Sequence, residues 1–151
     1  MVLDLDLDQK LFLSEIADSI EIIPLEQTDE SDIRLVWRLV TYKNRYYFYN
    51  GIGTEETNLL VFDSQGNFIY RLDKRGQGPG EYIELNDIAI DRKKEELLLL
   101  TARHGVYRYD LDGRFIDRNR LSTHGDYIAT DSVGNIYQTV YCHEEKPNSL
   151  L

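Results

Sequence analysis

Phe62-Asp63-Ser64-Gln65-Gly66-Asn67-Phe68-Ile69-Tyr70-Arg71 and Tyr109-Asp110-Leu111-Asp112-Gly113-Arg114-Phe115-Ile116-Asp117-Arg118 decide the fold. An aromatic residue, Asp, Gly three positions on, Phe-Ile and then Arg recur at a constant offset of 47 residues. Each copy reads as two β-rich runs flanking a polar turn, which is a hairpin signature. Gly66 and Gly113 supply the positive φ that such a turn needs. Asp63 and Asp110 are placed to accept hydrogen bonds from turn amides. These four residues are read as structural.

A second pair lies outside the hairpins. Ile88-Ala89-Ile90-Asp91 matches Ile128-Ala129-Thr130-Asp131 at an offset of 40, and Leu39-Val40-Thr41-Tyr42 is a weaker counterpart. β-Rich runs follow each: Arg45–Tyr49, Glu96–Thr101 and 135–140. The run Leu97 to Leu100 is short enough to be a helix segment by periodicity alone, but its length and the flanking hairpins favour a strand. One unit then has four strands, which in the middle copy are 88–91, 96–101, 106–110 and 115–120. Four short antiparallel strands every 40–47 residues is the period of a propeller blade. A β-sandwich also holds hairpins but does not require matched residues at a fixed offset. The expected class is all-β, an incomplete ring of a six-bladed propeller, with blades at about 33–75, 83–121 and 126–151.

Composition narrows the functions. The 151 residues carry 27 acidic and 17 basic side chains, a net −10, which suits neither nucleic acid nor anionic lipid. Residues 1–32 hold ten of those acids and one base, so the segment is −9 and the remainder is −1. Such a break often marks a change of role. Here it sets apart residues 1–32 as an acidic N-terminal segment. That segment is expected to form a helical turn over Ser14–Asp18 with Ser14 as N-cap, and a strand at Glu21–Leu25. Pro24 argues against a longer helix. No apolar run approaches a membrane span. The start, Val2-Leu3-Asp4-Leu5-Asp6, is not a secretory leader.

Between the first two units runs Lys74-Arg75-Gly76-Gln77-Gly78-Pro79-Gly80-Glu81-Tyr82. It lacks the following helix of a dinucleotide site and the Gly-Lys-Ser/Thr of a P-loop. Gly76, Gly78, Pro79, Gly80 and Glu81 read instead as a tight crossover from one sheet to the next. This loop, followed by Ile88–Asp91 and Tyr109–Phe115, resembles the NHL-type six-bladed β-propeller. More closely, the chain resembles the 6-bladed β-propeller family abundant in Bacteroidetes, whose opening is similar to Asp4-Leu5-Asp6, Leu13–Glu21 and Ile23–Glu26. The resemblance implies a closed ring, usually exported and often lipid-anchored, with activity mostly unassigned. It implies a periplasmic or cell-surface location after removal of a leader, with the cytoplasm as the alternative. Six blades need about 250 residues, so this chain is expected to be a fragment, or to associate with further copies that cover its open faces.

The residues identify no catalytic set and no resident cofactor. Asp4, Asp6, Asp8 and Glu15 match calcium-loop spacing, but Gln9 stands where that loop needs Gly. His104, His124 and His143 lack helical ligand spacing, and Cys142-His143 is adjacent, so zinc is disfavoured. Cys142 reads as a small apolar filler. Eleven tyrosines are expected mainly to pack between blades. Arg38, Arg75 and Arg103, with Arg34 beside them, are candidate binding contacts. The expected function is a non-catalytic binding or scaffolding propeller with a protein, peptide or glycan partner. The alternative is a lactonase, lyase or hydrolase whose site needs blades this chain does not encode.

Overall fold

The computed structural model describes residues 12–51, 57–101, 105–121 and 125–139. Strands β1 (Val36–Tyr42), β2 (Arg45–Asn50), β3 (Asn58–Asp63) and β4 (Phe68–Leu72) form one antiparallel sheet in sequence order. Strands β5 (Asp87–Asp91), β6 (Glu96–Thr101), β7 (Gly105–Asp110) and β8 (Phe115–Asn119) form a second sheet, also in sequence order. β9 (Ile128–Thr130) pairs with β10 (Ile136–Gln138). Every strand of the middle unit lies within one residue of the sequence expectation. The protein is all-β over the described residues, apart from one 3-10 turn.

The side-chain period of two explains the packing. On β2, Tyr47 and Tyr49 point one way and Phe48 the other; on β6, Leu97 and Leu99 oppose Leu98 and Leu100. Tyr47, Tyr49, Leu59 and Val61 of the first sheet meet Ile88, Ile90, Leu97, Leu99, Tyr107 and Tyr109 of the second in one buried cluster. Leu98 and Leu100 face the opposite side with Ala89, Val106 and Ile128 of β9. The leucine run is continuous because both faces of β6 are covered, the condition under which strands lose their polar alternation.

Tyrosine hydroxyls tie the two sheets together. Tyr70 donates to the Leu111 carbonyl at 3.0 Å, Tyr109 to Gly80 at 2.7 Å, and Tyr49 to Leu85. Tyr82, fully buried in the crossover, donates to Leu72 at 3.3 Å. Each ring thus fills the space between layers while its polar end reaches a backbone carbonyl. Burial raises the Tyr49 hydroxyl to about 12 and lifts Tyr70, Tyr82 and Tyr109 as well.

The repeated turns are built alike. Asp63 Oδ1 accepts from the amides of Gln65 and Asn67 at 2.8 and 2.9 Å; Asp110 Oδ1 accepts from Asp112 and Arg114 at 3.0 and 2.9 Å. A third copy, Asp131-Ser132-Val133-Gly134-Asn135, joins β9 to β10 with the same two bonds. The Asn135 amide and side chain, with Tyr137, hold the Asp131 carboxyl down to about 2. Bonds from the Asn67 side chain and amide likewise hold Asp63 below the usual carboxylate range. A carboxyl depressed by folding stabilises above its unfolded pKa, and that contribution is lost as pH falls through the folded value. A side-chain carboxyl NMR titration is expected to place the Asp131 midpoint near about 2, well below that of an unpaired aspartate.

The N-terminal segment differs from expectation. Leu13–Glu15 is a single 3-10 turn, so Ser14 lies inside it instead of capping a helix. Ile16 and Ile20 are exposed, with no sheet beneath them to reward a helical face. Residues 21–25 form no strand. The chain instead crosses the β3–β4 turn: Glu26 N donates to Gly66 O at 2.8 Å, and Phe68 N donates to the Glu26 carboxylate at 2.8 Å. Leu25 and Ile33 cover Phe48, Leu60 and Phe62 on the outer face of the first sheet. Gly66 has φ +88°, and a Cβ there would collide with the Pro24 carbonyl. Gly66→Ala is therefore expected to cost about 1–3 kcal/mol, and to expose residues 23–33 to proteolysis before the sheets unfold. Unchanged cleavage kinetics would contradict this.

Candidate functional site

Strands β1, β5 and β9 lead their sheets and lie side by side, with β5 between the other two. Asp87, the first residue of β5 and 3% exposed, joins them. Its carboxylate accepts from Arg38 of β1 and from the backbone amide of Ile128 at 2.8 Å. Burial pushes the Asp87 carboxyl up, against the pull of the Ile128 and Ile88 amides and Arg38. Arg38 is thus a cross-sheet tie, its guanidinium partly open to solvent.

Beside this tie opens a cleft of ≈ 440 Å³ lined by Trp37, Tyr49, Leu85, Asn86, Asp87, Asp126 and Tyr127. Its aromatic walls have a structural cause. The β1–β2 register slips between Val36, opposite Asn50, and Arg38, opposite Tyr49, which leaves Trp37 as the extra residue of a β-bulge. A bulge redirects one side chain out of the alternation. Trp37 is 57% exposed, with its indole N–H held by the Gly51 carbonyl at 3.2 Å. Tyr127, 61% exposed, stands just before β9. Its backbone is pinned by two bonds with Thr139 at 3.1 Å. Asn86 donates to Gly125 O at 3.3 Å through its amide nitrogen, and its side-chain oxygen is by nature an acceptor.

The other candidates lie elsewhere. Arg75 pairs with Asp73 at 3.1 Å and lines a polar recess with Asp29, Asp32, Arg34, Asn58 and Arg71, so Arg38 and Arg75 do not share a site. Arg103 lies outside the described residues, as do Asp4, Asp6, Asp8, His104, His124, Cys142 and His143. Among the described residues, no group of three His, Cys, Asp or Glu gathers as a metal site, and no helix is long and apolar enough to cross a membrane.

In the glycine loop, Glu81 turns back on its own backbone. Its carboxylate accepts from Gly78 N at 2.9 Å and occupies the space where a Cβ on Gly76 would stand. Gly76 N donates to Tyr82 O at 3.0 Å, and Tyr82 N to Lys74 O at 2.8 Å. Gly80, at φ +74°, lies flat against the Phe115 ring, and Pro79 precedes it in the turn. The amides of Gly76, Gly78, Glu81 and Tyr82 are thus bonded within the loop itself, which suits a crossover.

Sequence reasoning passed over Trp37, Asn86 and Asp126. A solitary tryptophan at a strand start was the available signal for the first; a bulge has no sequence mark of its own.

Stacked four-stranded antiparallel sheets, led by adjacent strands that flank an aromatic cleft, define the class of protein. The chain belongs to the family described as Domain of unknown function (DUF4934), whose model matches residues 2–151. No curated protein matches it. Among solved structures, it is similar to a protein of Bacteroides fragilis NCTC 9343 classed as exported, with TM-score 0.69 and 23% identity over 80% of this chain and 34% of that one. It is also similar to PorZ, an essential surface component of the type-IX secretion system of Porphyromonas gingivalis, with TM-score 0.54 and 17% identity over 80% of this chain and 18% of that one. The chain therefore spans about a third of the first neighbour and under a fifth of the second.

Proposed function

We propose that the two four-stranded sheets are blades of a six-bladed, NHL-like β-propeller. β9 and β10 begin a third blade, and further blades complete the ring. The chain acts outside the cytoplasm as a non-catalytic binding or scaffolding module. One observation carries the propeller reading: the β3–β4 and β7–β8 hairpins share one register, irregularity included, at the 47-residue offset. Sheets that are copies of one another, led by adjacent strands, are what radial repetition requires. The exported and surface-located neighbours support the location. The cleft between Trp37 and Tyr127, at one end of the leading strands, is the binding feature.

The test joins location to activity. Protease added to intact cells, or release with the periplasmic fraction, should reach an epitope-tagged gene product. The purified protein should turn over none of a panel of esters, lactones and glycosides. Retention in the cytoplasm overturns the exported reading. Turnover that disappears in a Tyr127→Ala variant overturns the non-catalytic one.

A further inference from the structure

The geometry points to a carbohydrate subsite in the Trp37–Tyr127 cleft, one that takes a neutral pyranose unit of a glycan. This inference rests on the binding reading above and names the ligand class of that site.

A pyranose presents C–H groups on its flat faces and hydroxyls around its rim. It is matched by an aromatic face bordered by fixed hydrogen-bonding groups. The cleft supplies both. Trp37 is turned out of its strand by the bulge and held by its indole bond to Gly51, so its N–H is engaged while its ring stays largely exposed in the cleft. Tyr127 lines the same cleft with its backbone fixed by Thr139. Asn86 and Asp126 also line the cleft and bring side chains that accept from ligand hydroxyls.

Charge favours a neutral ligand. Asp87 is already paired with Arg38 and the Ile128 amide, so Asp126 is the carboxylate left to the cleft. One carboxylate beside Arg38 is a weak attractor for a cationic peptide, and the net −10 chain repels polyanionic ones. A preformed aromatic wall also costs little ordering entropy on binding.

Trp37 is the only tryptophan, so its emission reports on this cleft alone. The chain is titrated with mannohexaose, maltohexaose, xylohexaose and chitohexaose, and in parallel with pentalysine. The expected result is a saturable change in Trp37 emission with at least one oligosaccharide, insensitive to salt. Calorimetry should find that sugar bound roughly tenfold or more weakly by Tyr127→Ala and by Asp126→Asn. The near-isosteric Asp126→Asn change, at a half-buried position, guards against a misfolded Tyr127 variant. No response to any sugar overturns the subsite, as does a salt-sensitive response to pentalysine alone, or sugar binding that both variants retain. None of these results bears on the exported propeller reading, which stands or falls on protease accessibility.

Discussion

Tyr82→Ala is expected to lower the unfolding free energy by about 3–5 kcal/mol, the usual cost of removing a buried aromatic ring. Tyr82 has no exposed surface and sits where the crossover enters the interface between the sheets. Its ring lies edge-on to Tyr107, with centroids 6.2 Å apart, and its backbone closes the glycine loop onto Lys74 and Gly76. Truncation leaves a hole bounded by both sheets that neither can close alone. Tyr82→Phe keeps the ring and loses the bond to Leu72, so about 1 kcal/mol is expected. Urea unfolding followed by circular dichroism checks both values. Trp37 emission is the wrong probe, since that ring is already wet. A Tyr82→Ala midpoint within error of the parent would mean that the loop does not depend on the ring.

Asp87→Ala carries the second large effect, about 2–3 kcal/mol, at the lower end for a broken buried pair because Arg38 reaches solvent. The change orphans the Ile128 amide and releases Arg38, so β9 and β1 lose their common partner on β5. Asp87→Asn can still accept from Ile128 and should cost about 1 kcal/mol. The pH dependence has a definite sign. Folding raises the Asp87 pKa, chiefly through burial. The associated stability is fully present below the unfolded carboxylate pKa and is lost as pH rises through the folded value. The deficit of Asp87→Asn should therefore shrink as pH rises from about 3.5 toward 7. Urea midpoints of the parent and the Asn variant across that range measure it. A deficit that grows with pH would mean that the Arg38 pairing outweighs the desolvation.

Much of the architecture was legible because repetition and alternation are backbone-scale signals. The Asp-x-x-Gly turns and the match between Ile88–Asp91 and Ile128–Asp131 locate the strands of the middle unit to within a residue, because each turn fixes where its two strands end. The N-terminal segment was not legible. Its leucines and isoleucines suggested a helix face and a paired strand, yet what covers Phe62 is decided by tertiary contact: Leu25 and Ile33 reach it only because Gly66 lets Pro24 pass. The same limit applies to the cleft. Arg38 was singled out for its charge, but that charge is engaged by Asp87, while the exposed ring next to it depends on a slip in register that composition does not record.

The skipped residue in each third-to-fourth strand hairpin has a further consequence. Val61 pairs with Tyr70 and Phe62 with Phe68, passing over Ile69; Arg108 pairs with Asp117 and Tyr109 with Phe115, passing over Ile116. The same irregularity in two places follows from the same turn, an Asp-x-x-Gly loop closed by a glycine at positive φ. Residues 58–72 and 105–119 are thus cassettes cut to one gauge. A chimera that swaps them would keep the backbone pairing at both ends, so the side chains alone would have to adjust.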